Sequence, residues 1–359
     1  MTALYSIDEV KQRLALQALP LAQQLTPNGV LKGNQWWFRN PRRVDGGNLT
    51  SASVNVRRGF WKDFSNAGGN EGGDMLNFVA VFACAGEYKR AWRWALDYLG
   101  LTGREPSRAE TLQLMERARN VAIEEAAKLE RMRRWCLHLW LESKPLDGHD
   151  PASLYLAGRG IDVQALSEGI PRALRFHPNL ATRTARDERY PALVALAAQD
   201  GLKPNGLATL HCTYLQPRGQ LWAKARRPGE RPSKEVICAY AGASVRLQRG
   251  ATRKPLKAAP AASHLILAEG LENALSVAIA LPDERVIAAL SLANMAGVDL
   301  PNAIARVTIA ADNDGDNASA ARGLTRAVEI LTERGIEVAI AEPPAGAKDF
   351  NAALTAGAA

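Results

Sequence analysis

The chain has 359 residues, a formal net charge of +8, and hydrophobic residues at 47% of its positions. This length suggests two or three domains with an ample core. No apolar run approaches the roughly 18 residues of a membrane-spanning helix, and charges are spread through Met1 to Pro20. We therefore expect neither a membrane anchor nor a secretory leader, and we predict a cytoplasmic protein. The four cysteines include no C-x-x-C pair, so the sequence indicates neither a zinc site nor a disulfide framework.

The charge is unevenly distributed along the chain. Lys203 to Lys257 contains twelve Lys and Arg and two Glu, a local charge of +10. His264 to Ala359 contains six Lys and Arg and thirteen Asp and Glu, a local charge of −7. A basic segment followed by an acidic one is what an enzyme acting on a polyanion needs, because the basic surface attracts phosphates that the acidic site holds only through cations.

The N-terminal segment predicts a short helix over residues 1–20, ended by Pro20. Lys32 to Phe64 then interleaves six aromatic residues with seven Lys and Arg, against two Asp. Aromatic and basic residues in alternation suit single-stranded nucleic acid, where bases stack on rings and phosphates meet cations. The alternative is a small β-domain whose aromatic residues form its core. The predicted DNA-binding residues are Trp36, Trp37, Arg39, Arg42, Arg43, Trp61 and Lys62.

Helices dominate the next part of the chain. The pattern predicts one helix from Phe78 to Leu99, and a long connecting helix from Pro106 to Leu141, on the order of 50 Å at 1.5 Å per residue. Strands are predicted at Pro191–Leu196 and Gly206–Leu215. His211, on the second of them, is interpreted as a hydrogen-bonded strand histidine.

Two short apolar runs near the C-terminus each end in acid. Leu265 to Ala268 runs into Glu269, and Val307 to Ala311 runs into Asp312, with Asp314 and Asp316 close behind. Such runs, each followed by a helical pattern, predict buried parallel strands, and ligands bind beyond the carboxyl ends of parallel strands. Strands are expected at 264–268, 285–290, 306–311 and 336–341, with helices at 271–280 and 318–333.

Three carboxylates meeting at one edge repel one another unless they are protonated or bridged by a cation. Oxygen ligands favour Mg²⁺ or Mn²⁺, so we predict Glu269, Asp312 and Asp314 as metal ligands, with Asp316 as an outer ligand. The alternative is a purely structural role, in which the acids serve the start of the following helix and Asp316 or Asn317 is its N-cap.

These residues resemble the Toprim domain shared by bacterial-type primases, topoisomerases and certain nucleases. The resemblance rests on Leu265-Ile266-Leu267-Ala268-Glu269-Gly270, on Ile309-Ala310-Ala311-Asp312-Asn313-Asp314, and on Ala347-Lys348-Asp349-Phe350-Asn351. Tyr155-Leu156-Ala157-Gly158-Arg159-Gly160-Ile161 is similar to the start of the helix pair that opens the polymerase core of primases. Trp36-Trp37-Phe38-Arg39 and Gly59-Phe60-Trp61-Lys62 are similar to the N-terminal module of phage, plasmid and other mobile-element primases.

The resemblance implies an α/β fold in which a Toprim domain with a roughly four-stranded parallel sheet follows a basic α+β subdomain and a small zinc-less N-terminal domain. The expected boundaries are 1–103 for the nucleic-acid-binding domain, 104–147 for a helical linker, 148–260 for the basic subdomain and 261–359 for the Toprim domain. The implied function is a DNA primase of a mobile element. It would make short primers on single-stranded DNA from nucleoside triphosphates, using Mg²⁺ or Mn²⁺, as two ions, and no zinc.

The same resemblance assigns roles to residues. Glu269, Asp312 and Asp314 would be catalytic, with Glu269 acting as a metal ligand or as the base. Lys224, Arg226, Arg246 and Lys348 would bind nucleotide phosphates, although Lys and Arg in loops are often only solvated. No Gly-x-x-x-x-Gly-Lys-Ser/Thr motif occurs, so the partner helicase or replication protein would be separately encoded.

Two other functions stay open from sequence. The same acids would serve a metal-dependent Toprim nuclease, because phosphodiester hydrolysis differs only in using water as the nucleophile. A non-catalytic nucleic-acid-binding adaptor is the third interpretation.

Overall fold

The computed structural model describes residues 5–40, 51–64, 72–102, 108–183, 185, 187–202, 206–313, 315 and 317–357. The chain forms two compact units, Met1–Ala126 and Ala127–Ala359. Each unit has hydrophobic clusters of its own. No helix in the described part of the chain is both long enough and apolar enough to span a membrane.

The first unit packs helices against one small antiparallel sheet with strand order β1-β2-β3-β4-β5. Its elements are α1 Ile7–Leu16, α2 Ala18–Leu25, β1 Val30–Lys32, β2 Gln35–Phe38, β3 Ala52–Asn55, β4 Phe60–Asp63, β5 Gly72–Asp74, α3 Met75–Ala83 and α4 Tyr88–Tyr98.

Strand alternation decides which aromatic residues of this sheet are buried. Trp36, Phe38 and Trp61 point into the core, whereas Trp37 is half-buried and Phe60 is exposed on the other face. The Phe38 ring meets the rings of Phe78 and Phe82 edge-on, with centroids 5.9 and 5.5 Å away. The sheet therefore has one packed face and one open face.

Two helix predictions in this unit were wrong in detail. Pro20 does not end the N-terminal helix; it lies in the first turn of α2, where its missing N–H costs no hydrogen bond. The expected helix from Phe78 to Leu99 is two helices, because the chain turns at Ala85 and Gly86 with positive φ.

The second unit is built on an eleven-stranded mixed sheet. The predicted long helix is confirmed as α5, Arg108–Glu142, which ends in this unit. The elements that follow it are β6 Lys144–Pro145, α6 Pro151–Ala157, β7 Leu174–Ala181, β8 Arg189–Ala198, β9 Leu207–Arg218, β10 Leu221–Lys224, β11 Lys234–Val236, β12 Ser244–Arg249, β13 Ser263–Ala268, α7 Leu271–Ala280, β14 Arg285–Ala288, α8 Leu292–Met295, β15 Ile304–Ala310, α9 Ala318–Glu333, β16 Glu337–Ala341 and α10 Phe350–Gly357.

The sheet has an antiparallel part and a parallel part. The order β10-β9-β8-β12 is antiparallel, and β14-β13-β15-β16 is parallel, as the C-terminal pattern predicts. Strand β12 joins the two parts by pairing antiparallel with both β8 and β14. The basic subdomain and the C-terminal domain therefore share one continuous sheet.

Strand β13 is a continuous apolar run from Leu265 to Ala268 because it is covered on both faces of the sheet. Ile266 and Ala268 pack with α7 on one face. Leu265 and Leu267 pack on the other face with residues of α9, including Leu331. This packing holds β13 in register with β15, and the acids follow the carboxyl ends of both strands.

The core of the first unit supplies a matched stability test. Phe38 on β2 is 1% exposed and Phe60 on β4 is 57% exposed, on opposite faces of one sheet. We expect Phe38→Ala to lower the free energy of unfolding by about 3–5 kcal/mol, because it leaves a cavity beside the rings of Phe78 and Phe82. Phe60→Ala should change it by less than about 0.5 kcal/mol. Urea unfolding followed by tryptophan fluorescence measures both, and equal effects would contradict the assigned facing of the strands.

Candidate active site

Two carboxylates lie together at the carboxyl edge of the parallel sheet. Glu269 follows β13 directly, and Asp312 is the second residue after β15. The two strands are hydrogen-bonded neighbours with Ala268 opposite Ala310, so both acids emerge at the same level. Both line one pocket of about 290 Å³, whose wall also includes Glu342 after β16.

A buried amide holds Asp312 in place. Asn273 Nδ2, in the first turn of α7, donates to Asp312 Oδ1 at 2.7 Å. The Oδ1 of the same amide accepts from the backbone N–H of Phe350 at 3.0 Å. Asn273 is only 4% exposed, and it ties the helix after β13 to the acid after β15 and to the start of α10. Sequence reasoning gave Asn273 no role, although a polar residue in a mostly apolar helix was the available signal.

The Lys348-Asp349 element reaches the same edge. The carbonyl of Lys348 accepts from the N–H of Asn313 at 2.7 Å, while its side chain is exposed. Asp349 Oδ1 accepts from the N–H of Ala352 at 2.7 Å and begins α10. These contacts place the element, which follows β16 in the chain, beside the residue after Asp312.

Asp314 and Asp316, predicted with these acids, lie outside the described residues. Among the residues that are described, no group of three or more His, Cys, Asp or Glu is arranged to hold a metal ion. Asn317 caps α9, with its side chain accepting from the N–H groups of Ser319 and Ala320. The described pair of Glu269 and Asp312 is therefore the part of the predicted metal site whose placement is known.

A second, buried polar cluster lies on the first turn of α7. Glu272 is 5% exposed and accepts a hydrogen bond from the Tyr155 hydroxyl at 2.6 Å. Its carboxylate also pairs with Lys234 at 2.8 Å and Lys224 at 3.1 Å. Burial alone would raise the pKa of Glu272, but the two ammonium groups hold it well below its ordinary range. Burial lowers the pKa of Lys224.

His211 borders this cluster on β9. The side chain is buried, and its Nδ1 has no hydrogen-bond partner within the described structure. Burial, with the nearby charge of Lys234, lowers the pKa of His211 to about 4. A neutral ring is therefore the stable form at neutral pH.

The remaining predicted phosphate-binding residues are dispersed. Arg226 is exposed, and Arg246 on β12 pairs with Asp200 at 3.0 Å. Lys224, by contrast, is placed with Lys234, which sequence reasoning did not single out. The buried Arg227, held by Glu235 at 2.9 Å and lying over the Tyr214 ring, was also missed.

The predicted DNA-binding residues divide between the two faces of the first unit's sheet. Trp36 and Trp61 belong to the core, where their indole N–H groups donate to Thr26 and Asn77. This location agrees with the alternative that aromatic residues form the core. Trp37, Lys62 and Arg39 lie on the partly or fully exposed side. Arg42 and Arg43 lie outside the described residues.

The open face carries an aromatic pair that was not predicted. The Phe64 ring lies 5.6 Å from the Trp37 ring, and Lys62 Nζ sits 5.7 Å from the Phe64 ring centroid. We call Trp37, Phe60, Lys62 and Phe64 the aromatic platform.

Comparisons with known proteins agree with the C-terminal part of this description. Residues 264–359 match the Toprim domain family. Residues 130–247 match a domain of unknown function, DUF7146. No curated protein matches the sequence.

Residues 264–359 form a Toprim domain. This confirms the domain predicted from Glu269 and the Asp312 segment, and it confirms the α/β fold class with parallel C-terminal strands.

Two solved structures show similarity over a longer part of the chain. A DNA primase domain from Pseudomonas aeruginosa is 14% identical with a TM-score of 0.39, covering 58% of this chain and 68% of that one. The DnaG primase catalytic domain bound to ssDNA is 13% identical with a TM-score of 0.40, covering 66% of this chain and 78% of that one.

The buried histidine gives a pH prediction. Between pH 6.5 and about 4 the unfolded chain binds a proton at His211 that the folded chain does not, so stability falls as pH falls through this window. The contribution is up to about 1.4 kcal/mol per pH unit. We expect His211→Gln to flatten the dependence of the unfolding free energy on pH in this window. His138→Gln, the same change on an exposed side chain, is the control, and an equal slope in wild type and His211→Gln would contradict the buried neutral ring.

Proposed function

We propose that this protein is a DNA primase that joins nucleotides on a single-stranded DNA template at the Toprim edge. The observation that carries the proposal is that Glu269 and Asp312 follow two neighbouring strands in register and line one pocket within a Toprim domain. We propose further that this primase belongs to a phage, a plasmid or another mobile element. It would work beside a separately encoded helicase or replication protein.

The residues at this edge fit a divalent cation. The carboxylates of Glu269 and Asp312 share a pocket with the Glu342 side chain, and oxygen donors of this kind suit Mg²⁺ or Mn²⁺. Metal-binding carboxylates are usually oriented by a hydrogen bond from a neighbouring residue. Asn273 makes such a bond to the Asp312 carboxylate. Asp314 and Asp316 are proposed to complete the site, with two ions bound.

When bound, the cations would offset the negative charge that accumulates on the α-phosphate during nucleotidyl transfer. The chain's own groups then position the reactants. Glu269 is placed to hold a cation or to accept the proton of the attacking hydroxyl. The ammonium groups of Lys224 and Lys234 pair with Glu272, which follows Glu269 by three residues in the chain, and an incoming triphosphate would compete with Glu272 for them.

The first unit is proposed to bind the template through the aromatic platform. Its rings present π-faces to unpaired bases, and Lys62, with Arg39 at the end of β2, offers charge to the phosphates. We include Arg42 and Arg43 in this surface as predictions from sequence. Trp36 and Trp61 support the platform from within the core.

Primer synthesis on single-stranded DNA with labelled nucleoside triphosphates and Mg²⁺ tests the proposal. Glu269→Gln and Asp312→Asn should each reduce the yield of short products by at least about 10³-fold, because each removes charge where the transition state needs it. Glu342→Gln, a change of the same kind on the rim of the pocket, should have a smaller effect.

A nuclease would give a different result. Metal-dependent shortening of the template without products from wild type would refute the primase proposal and establish hydrolysis at the same edge. Strand binding without synthesis or cleavage under any metal and nucleotide condition would identify an adaptor.

A further inference from the structure

One residue at the carboxyl edge of the parallel sheet has a strained backbone. Leu290, the second residue after β14, has a φ of +70°, in the left-handed region that residues other than glycine rarely adopt. Such residues persist only where the surrounding structure over-determines them, and they concentrate at functional sites. Strand β14 pairs parallel with β13, so Leu290 lies at the same end of the sheet as Glu269.

The turn at Leu290 contacts the backbone of Glu269 directly. The N–H of Leu290 donates to the Glu269 carbonyl at 2.9 Å, and the N–H of Ala289 donates to the Ala268 carbonyl at 2.9 Å. In a regular parallel ladder only every second N–H of a strand faces a given neighbour, so two consecutive bonds require the chain to curl toward β13. The curled segment therefore holds both the last residue of β13 and the acid that follows it.

Apolar packing fixes this turn on both faces of the sheet. Ala289 is fully buried in the cluster on the face that carries α9. The Leu290 side chain packs on the other face, against the cluster that contains Ala268 and Leu271, two close chain neighbours of Glu269. Glycine would adopt the same φ without strain, but it would lose this contact. The packing of the leucine side chain therefore stabilises the strained conformation.

A buried amide holds the turn at its outer end. Asn294 in α8 is 7% exposed, and its Nδ2 donates to the carbonyls of Ala289 and Ala243, both at 2.8 Å. Its Oδ1 accepts from the N–H of Gly242 at 2.9 Å. Because its nitrogen and its oxygen are both bonded, the amide cannot rotate without losing hydrogen bonds. Asn294 thereby ties the turn to the loop before β12.

Tyr240, from the same loop, adds a further hydrogen bond. Its hydroxyl donates to Ser291 Oγ at 3.1 Å, and Ser291 is the N-cap of α8, where its side chain accepts from the N–H of Asn294. The Tyr240 ring is half-buried against the same cluster as Leu290. The turn after β14 is therefore held by packing on two faces and by hydrogen bonds from two side chains.

The two acids thus have different kinds of support. Asp312 is oriented at its carboxylate by Asn273, whereas Glu269 is held at its backbone carbonyl by Leu290. The direction of a side chain depends on where its backbone leaves the strand, so a shift of the Glu269 backbone would move its carboxylate within the pocket that it shares with Asp312. Altering residues that orient a metal ligand commonly changes metal affinity by about 10- to 100-fold.

We propose that Leu290 is a positioning residue for Glu269. Its left-handed turn fixes the Glu269 backbone at the level from which the carboxylate shares a divalent cation with Asp312. Asn294 and Tyr240 act through Leu290, because they hold the turn. The catalytic consequence rests on the proposed primase function, but the effect on cation binding does not.

Mn²⁺ binding to the full chain, measured from the EPR signal of free Mn²⁺ without DNA or nucleotide, tests the proposal separately from catalysis. The binding counted is the part that Glu269→Gln abolishes. Leu290→Gly removes the side chain that holds the turn and should weaken this binding at least about tenfold. Leu290→Met keeps a long apolar side chain and should stay within about twofold of wild type.

A matched control lies at the other end of the same strand. Ala262 also has a positive φ, of 59°, but it directly precedes β13, at the end away from Glu269. Ala262→Gly relieves the same kind of strain and should leave Mn²⁺ affinity unchanged. Tyr240→Phe, a milder change than Leu290→Gly, deletes one hydroxyl and should weaken Mn²⁺ binding about threefold. Circular dichroism melting checks that each variant is folded.

Primer synthesis gives a second readout that a merely structural role would not produce. In Leu290→Gly, kcat should fall and then recover as the Mn²⁺ concentration is raised, because both ligands are still present. The KM for nucleoside triphosphate should not change. Glu269→Gln should show no recovery, because it lacks the ligand itself.

Equal Mn²⁺ affinity in wild type and Leu290→Gly would overturn the proposal, as would an equal loss in Ala262→Gly or a loss of synthesis that excess Mn²⁺ does not reverse. Mn²⁺ binding that Glu269→Gln leaves intact would overturn it as well. The expected pattern of Mn²⁺ affinities without primer synthesis by wild type would support the positioning role and refute the primase proposal instead.

Discussion

The register between β13 and β15 is the constraint on which the site depends. Ala268 lies opposite Ala310, so the chain leaves both strands at one level and places Glu269 beside the Asp312 turn. A slip of one residue would reverse the facing of every side chain on a strand. That slip is prevented because both faces of β13 are buried, against α7 on one side and α9 on the other. The hydrophobic core thereby holds two like charges at one edge, an arrangement that a cation stabilises.

Buried hydrogen bonds in the first turn of α7 connect the acidic edge to other parts of the second unit. Asn273 links Asp312 to the start of α10. Glu272, on the same turn, accepts a hydrogen bond from Tyr155 of α6 and pairs with Lys224 and Lys234 of the antiparallel strands. One helical turn thus connects the parallel and antiparallel parts of the sheet. Breaking a buried pair by removing one partner is costly because it leaves an uncompensated charge, so this turn has little freedom to move. A rigid support of this kind is what positioning of a phosphoryl group requires.

The C-terminal elements could be predicted from sequence because short apolar runs alternate with helical patterns there, and two of the runs, those of β13 and β15, lead directly into acid. Helices α7 and α9 begin and end where predicted, and β13 and β15 differ from prediction by only one or two residues at their ends. The pairing of Lys224 and Lys234 with Glu272 could not be predicted, because it joins residues about forty positions apart through a sheet whose order was unknown. In the first unit, neighbouring Trp36 and Trp37 must face opposite ways in a strand, but composition does not reveal which one is buried. The break between α3 and α4 was hidden because the apolar pattern continues past Gly86.

Iron-mediated backbone cleavage would test the central claim, that Glu269 and Asp312 hold one divalent-cation site, most directly. With Fe²⁺ replacing Mg²⁺ and ascorbate present, radicals form at the bound metal and cut the nearest backbone. The account predicts cleavage near Gly270 and near Asn313, suppressed by excess Mg²⁺ and lost in Asp312→Asn. Cleavage confined to one of these segments, or cuts elsewhere that Mg²⁺ does not suppress, would contradict it.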